Sequence, residues 1–114
     1  MISLSTHVLD TAHGHPAAGV KVTLSDVAGT ALFAGRTDAD GRCPDLPAVA
    51  AGRYRLAFGV AGYFAAAGVA LPDPPFLDVV TIDFGVVVPA GRARAHYHVP
   101  LLVSPFGYST YRGS

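Results

Sequence analysis

The chain has 114 residues, enough for one compact domain spanning residues 1–114 and too few for two. Apolar residues make up 51% and charged residues 14% of the sequence, which is more apolar surface than a small domain hides alone and indicates an oligomer. The formal net charge is zero and the basic residues are scattered, which argues against nucleic-acid and membrane partners.

Cys43 is the single cysteine, so an internal disulfide framework is excluded. We interpret Cys43 as a small side chain in a loop. The first residues lack the basic start and apolar stretch of a signal peptide, and no apolar run is long enough to span a bilayer. We therefore expect a soluble, cytoplasmic protein.

Strands dominate the first half of the sequence. A short early strand is expected at residues 5–10. Alternating apolar and polar residues predict further strands at residues 20–25 and 54–60. Ala28-Gly29 and Asp40-Gly41 mark turns. Short strands separated by turn signals are typical of an antiparallel β-sandwich.

One short helix is predicted, in the alanine-rich stretch at residues 61–70. Gly62 and Gly68 limit its length. A longer alternating run then predicts a strand at residues 80–88, and helix should otherwise be scarce because glycine and proline interrupt any helical period.

The histidines are the natural candidates for chemistry, since the sequence lacks a nucleophile elbow, a glycine-rich phosphate loop and paired cysteines. A strand at residues 97–103 places His96 and His98 opposite its apolar face, where a neutral imidazole accepts a proton near neutral pH. His7 lies in the early strand. Taken singly, each is more typical of a surface or interface histidine than of a catalyst. A metal shared by these three is an alternative that no neighbouring carboxylate or cysteine supports.

Arg42 follows the turn signal at residues 37–41, so its guanidinium should project from a loop end, suited to planar recognition of carbonyl or anionic oxygens. A solvated loop arginine is the alternative. His13 and His15 flank Gly14 in a turn-forming stretch, and we expect both to be solvent-exposed.

Three segments and the end of the chain carry a family resemblance. The segments are residues 4–11 (LSTHVLDT), 37–42 (TDADGR) and 96–102 (HYHVPLL), and the chain ends in Tyr-Arg-Gly-Ser at residues 111–114. Together they resemble the 5-hydroxyisourate hydrolase family, also called transthyretin-like proteins, and the terminal tetrapeptide is the hallmark of that family. The resemblance covers nearly the whole chain. Asp38 departs from it, at a position where many relatives carry asparagine.

The resemblance implies a transthyretin-like (prealbumin-like) fold, an all-β antiparallel sandwich of eight strands with one short helix. It also implies a homotetramer, a dimer of dimers whose facing subunits form a channel that holds the sites. The implied reaction belongs to urate catabolism, a branch of purine metabolism. It is hydrolysis of 5-hydroxyisourate at a cyclic amide to 2-oxo-4-hydroxy-4-carboxy-5-ureidoimidazoline.

The resemblance also implies roles for particular residues. The family's catalytic histidines correspond to His7 and His98, its substrate-binding arginine to Arg42, and its tail site to residues 111–114. We therefore expect His7, His98, Arg42 and Ser114 to be catalytic. The substrate-binding set is His7, Arg42, His98, Tyr111, Arg112, Gly113 and Ser114. No metal or other cofactor is expected.

Two other functions are compatible with a β-sandwich. A transthyretin-type carrier of small ligands shares the fold and the tetramer, so the fold alone does not separate it from a hydrolase. An interaction module without chemistry would explain the strands and turns equally well. Neither needs the combination of His7, Arg42, His98 and the tail, which favours the enzyme.

Overall fold

A computed structural model describes residues 1–113 of the protein. In this range the chain forms eight strands and one helix. Their bounds are β1 Ile2–Asp10, β2 His15–Pro16, β3 Lys21–Asp26, β4 Ala31–Arg36, β5 Gly52–Gly59, α1 Val60–Ala66, β6 Val79–Val86, β7 Ala95–Ser104 and β8 Gly107–Thr110.

The strands form two sheets of four, in the orders β2-β1-β7-β8 and β4-β3-β5-β6. Neighbouring strands are antiparallel except for β1 and β7, which run parallel. Apolar side chains from both sheets fill the space between them, with Phe58, Leu24 and Leu101 among the fully buried ones. The predicted sandwich with one short helix is confirmed. The parallel pair is a feature that apolar alternation does not specify, because alternation is the same in both directions.

Two element boundaries differ from the sequence prediction. The predicted strand at residues 54–60 ends at Gly59, and Val60 is instead the first residue of α1. Val60, Ala61 and Phe64 are buried at helical spacing, so this apolar cluster packs better on a helix than on an extended strand. The helix ends at Ala66, earlier than predicted, because Gly68 adopts a φ of +87°. Within residues 1–113, no helix is long and apolar enough to cross a membrane.

The remaining local predictions can be compared with the structure. The strand predicted at residues 80–88 stops at Val86, and Val88 packs against the core from the following loop. Cys43 lies in a loop as expected, but its side chain is buried and its thiol is free. His13 and His15 are both exposed, as predicted.

A buried carboxylate ties the end of β1 to α1. The Asp10 side chain is 0% exposed, and its Oδ2 accepts hydrogen bonds from His13 Nδ1 at 2.6 Å and from the Tyr63 hydroxyl at 2.7 Å. Its Oδ1 accepts from the backbone N–H groups of Ala12 and His13, each at 2.9 Å. Burial raises the pKa of Asp10, but these hydrogen bonds outweigh it and hold that pKa below its ordinary value of 3.8. Burial and the bond to Asp10 raise the pKa of Tyr63 to about 12.

We expect Asp10→Ala to lower the free energy of unfolding by about 1–3 kcal/mol, because it removes the acceptor of four part-buried hydrogen bonds. The folded-state pKa of Asp10 is depressed, so its contribution is complete above the unfolded value of 3.8 and is lost as pH falls through the folded value. The stability difference between wild type and variant, measured by urea denaturation, should therefore shrink below pH 3.8.

Tyr63→Phe serves as the matched variant, since it removes one of these hydrogen bonds and leaves the carboxylate in place. A smaller loss of stability is expected for it. Equal stability of Asp10→Ala and wild type at neutral pH would contradict the structural role of the carboxylate.

Candidate active site

The parallel pairing of β1 with β7 brings the predicted catalytic histidines together. Ser5 lies opposite His98 and His7 lies opposite Pro100 in the register of the two strands. Side chains alternate between the two faces of a sheet, so His7 and His98 emerge on the same outer face, as diagonal neighbours. Both are half-buried, whereas Tyr97 between His96 and His98 points into the core.

Arg42 is held against the outer edge of β1 by a tight turn. A β-bridge pairs Arg42 with His7, and the Val8 N–H donates to the Gly41 carbonyl at 2.8 Å. Gly41 has a φ of +77°, and a Cβ there would lie 2.4 Å from the Val8 carbonyl oxygen. Only glycine allows this approach, so the Asp40-Gly41 signal marks the residue that docks the loop beside His7.

The Asp38 side chain closes the same turn. Its Oδ1 accepts hydrogen bonds from the backbone N–H of Asp40 at 2.9 Å and from that of Arg42 at 3.0 Å. An asparagine side-chain oxygen accepts the same two bonds. The departure from the family pattern at position 38 therefore preserves the turn that presents Arg42.

The chain end packs directly on His98. The Gly113 N–H donates to the His98 carbonyl at 2.8 Å, and the two residues form a β-bridge. A Cβ at position 113 would lie 2.5 Å from His98 Cδ2 and 3.0 Å from its Cβ, so the glycine backbone rests against the imidazole. The tail thus forms one wall of the histidine site.

The Nδ1 atom of the His98 ring contacts a hydroxyl. Ser5 Oγ lies 2.7 Å from His98 Nδ1 and 2.9 Å from His96 Nε2. Ser3 Oγ in turn lies 2.5 Å from His96 Nδ1. A continuous row of hydroxyls and imidazoles therefore runs along the outer face of β1 and β7.

The surroundings of His98 keep its imidazole neutral. Burial lowers the pKa of His98 below its ordinary value of 6.5. Electrostatic repulsion from the Arg42 guanidinium lowers the same pKa further, and the neighbouring rings of His7 and His96 act in the same direction. A neutral imidazole next to a fixed cation suits proton transfer from water at neutral pH.

The predicted tail residues do not all face this site. The Arg112 guanidinium lies 4.1 Å from the centre of the Tyr97 ring, on the core-facing side of β7. Arg112 and Tyr111 line a cavity of about 240 Å³ at the open edge between the sheets, together with Ile82 and Phe84. The structure thus brings together His7, Arg42, His98 and Gly113. Tyr111 and Arg112 instead line the neighbouring cavity at the sheet edge. Ser114 lies outside the described residues.

The metal alternative for the three histidines lacks the required geometry. Among residues 1–113, the metal-ligating atoms that gather within 4.8 Å of one another belong to Asp10, His13 and His15, not to His7, His96 and His98. The oxygens of Asp10 are already occupied by four hydrogen bonds.

Ser5 and Ser3 were not predicted to belong to the site. Their signal was present in the alternation of β1, because Ser3, Ser5 and His7 occupy every second position and must share one face. What the sequence did not indicate is that β7 pairs with β1 in the register that sets Ser5 opposite His98.

Comparison with known proteins places this geometry in context. The model of the HIUase/Transthyretin family matches residues 4–113. A 5-hydroxyisourate hydrolase from Ralstonia nicotianae is 52% identical over 97% of both chains. The solved structure of Klebsiella pneumoniae 5-hydroxyisourate hydrolase matches with a TM-score of 0.83 and 39% identity, over 100% of this chain and 94% of that one. Sea bream transthyretin in complex with thyroxine matches with a TM-score of 0.82 and 32% identity, over 96% of this chain and 93% of that one.

The close contact between Gly113 and His98 is directly testable. We expect Gly113→Ala to detach the tail, because the added methyl would overlap the imidazole. The exchange protection of the residue-113 amide, measured by NMR, should be lost while the melting temperature changes little, since Tyr111 and Arg112 are exposed and lie outside the strands.

Gly107→Ala is the matched control, because its Cβ would meet nothing closer than Ser104 Oγ at 3.9 Å. Protection at position 113 should survive in that variant. A Gly113→Ala protein with full protection at position 113 would contradict the packing of the tail on His98.

Proposed function

The chain belongs to the HIUase/Transthyretin family, and we propose that it is a hydrolase that opens the ring of 5-hydroxyisourate with water. The observation that carries this proposal is the grouping of His98, neutral by virtue of its surroundings, with His7 and Arg42 on one sheet face. The family resemblance drawn from the sequence is confirmed by the family match and by hydrolase relatives about half identical over nearly their full length.

In the proposed mechanism, His98 accepts a proton from a water molecule and His7 orients that water. The hydroxide attacks the carbonyl carbon of the cyclic amide, the C–N bond breaks, and the departing nitrogen takes the proton back from the imidazolium. A positioned general base of this kind contributes about 10²–10⁴-fold to the rate. The lowered pKa of His98 supports its assignment as the base, because its neutral form persists to below pH 6.5.

Arg42 is proposed to bind the oxygen-rich substrate and to stabilise the negative charge that develops on the attacked carbonyl. Its place beside His7, on the edge of β1, supports this role. Its planar guanidinium offers paired donors that a lysine lacks. The turn fixed by Gly41 presents this group without a helix or strand of its own.

The tail is proposed to complete the site. The observation that supports this is the packing of Gly113 on the His98 ring. Tyr111 and Arg112 would shape the neighbouring wall, since both line the cavity at the open sheet edge. Ser114 is assigned its catalytic role from the family resemblance alone.

We propose a homotetramer as the working form. Several large apolar side chains are exposed on the single chain, and among them Val79 lies on the edge strand β6, Tyr108 on the edge strand β8 and Tyr111 in the adjoining tail. Burial of such a patch against another subunit is the usual outcome. A cytoplasmic location also belongs to the proposal, and the free thiol of Cys43 supports it.

The second candidate function is that of a small-ligand carrier. It is favoured by the match to sea bream transthyretin, whose structure holds thyroxine. A carrier, however, does not need a neutral histidine beside an arginine, nor a tail glycine packed on that histidine. These features favour the hydrolase.

The test is the ultraviolet decay of freshly generated 5-hydroxyisourate with and without protein. We expect accelerated decay by wild type and a loss of about 10²–10⁴-fold in His98→Ala, because the proposed base is removed. The oligomer should be measured by light scattering in the same samples.

His15→Ala is the matched control, since His15 is exposed and its Nδ1 bonds only the neighbouring Pro16 carbonyl. Its activity should equal that of wild type. Thyroxine binding without accelerated decay would contradict the hydrolase proposal and favour the carrier. A fully active monomer would contradict the proposed tetramer.

A further inference from the structure

The outer face of β1 and β7 carries a hydrogen-bonded row that the proposed mechanism does not yet use. We propose that the Ser5 hydroxyl is a positioning residue that fixes the tautomer of His98, so that Nε2 carries the lone pair that accepts the proton. This inference rests on the proposed function for the meaning of the lone pair, and on geometry alone for the tautomer.

The register of the two parallel strands creates the row. Ser3 lies opposite His96 and Ser5 lies opposite His98, so each hydroxyl faces an imidazole. The separations are 2.5 Å from Ser3 Oγ to His96 Nδ1, 2.9 Å from Ser5 Oγ to His96 Nε2, and 2.7 Å from Ser5 Oγ to His98 Nδ1. All three are within hydrogen-bonding distance.

Counting the protons of neutral groups leaves two possible directions in which hydrogen bonds can be donated along the row. A serine hydroxyl has one proton, so Ser5 donates to one of its two imidazoles and accepts from the other. A neutral imidazole also has one proton on its two nitrogens, so His96 donates at one end and accepts at the other. The direction at either end therefore determines the direction at every link.

The end at Ser3 favours one direction. Besides the His96 ring, Ser3 Oγ faces the backbone carbonyl oxygen of Ala95 at 3.5 Å, the outer limit of hydrogen bonding, and that oxygen accepts hydrogen bonds and never donates. When Ser3 donates there, its oxygen accepts the Nδ1–H of His96. His96 Nε2 then accepts from Ser5.

The same counting continues to the last ring of the row. Ser5 has given its proton to His96, so its oxygen accepts the Nδ1–H of His98. The lone pair of His98 is then on Nε2. The opposite direction would put the proton on Nε2, where it would prevent that nitrogen from acting as a base. Ser5 is the single link between the row and His98, so removing its hydroxyl should free the imidazole to exchange tautomers.

The experiment records the nitrogen-15 spectrum of the histidines in the full-length protein at neutral pH without substrate. In wild type we expect His98 to be protonated on Nδ1 and unprotonated on Nε2. In Ser5→Ala we expect a mixture of the two tautomers, and in Ser5→Thr, which keeps a hydroxyl, recovery of the wild-type pattern.

Kinetics provide a second readout. Ser5→Ala should lower kcat about 10-fold, the lower end of the range found when the partner that orients a metal-ligating histidine is removed, with little change in KM. Ser5→Thr should restore most of kcat. Ser25→Ala is the matched control, because Ser25 lies on β3 in the other sheet, and its spectrum and kinetics should equal those of wild type.

The outcomes separate the two proposals. A wild-type His98 protonated on Nε2, or a Ser5→Ala spectrum identical to wild type, would overturn the role of Ser5 even if the protein hydrolyses 5-hydroxyisourate. The predicted tautomer and its loss in Ser5→Ala would support that role even in a protein without this activity, in which case the proposed function alone would fail.

Discussion

The candidate site depends on the register of the parallel pair formed by β1 and β7. A shift of one residue would move every side chain of one strand to the other face, which would turn His7 or His98 into the core. The register is held from inside the sandwich, because Leu4, Val8 and Leu101 fill the space between the sheets on the opposite face of the same strands. Packing of the core and alignment of the histidines are therefore a single constraint.

Two glycines allow segments outside the strands, the loop before Arg42 and the C-terminal tail, to pack closely against this strand pair. Gly41 lets the loop before Arg42 touch the backbone of β1, and Gly113 lets the tail touch the His98 ring. In both places a Cβ would lie within about 2.5 Å of an atom of the partner. The arginine and the tail thus reach the histidines from opposite edges of the strand pair, and the strands supply the rigid centre to which both are attached.

Much of the fold could be predicted from the sequence, because apolar alternation and turn residues are local signals. The strands around Val22, Leu56 and Tyr97 follow from that alternation, and the helix follows from its alanines. The pairing of β1 with β7 could not be predicted in this way, since it joins residues more than 90 positions apart. The start of α1 at Val60 was also missed, because buried valine fits either a strand or a helix.

The candidate site was predicted through the family resemblance more than through chemistry. His7, Arg42 and His98 are separately ordinary residues, and only their positions in three matching segments singled them out. The structure adds what a motif cannot express, namely that Arg112 faces Tyr97 and that Ser5 bridges two imidazoles. These contacts depend on which face each strand presents, and that depends on long-range pairing.

The central claim is that the chain end completes the histidine site and is not merely an edge of the sandwich. The most direct measurement is the activity of a chain lacking residues 111–114, normalised to the amount of folded oligomer. We predict that the truncated protein keeps a melting temperature close to that of wild type, because Tyr111 and Arg112 are exposed and lie outside the strands, and that it loses most of its turnover of 5-hydroxyisourate. Turnover close to wild type in the folded, truncated protein would contradict the account.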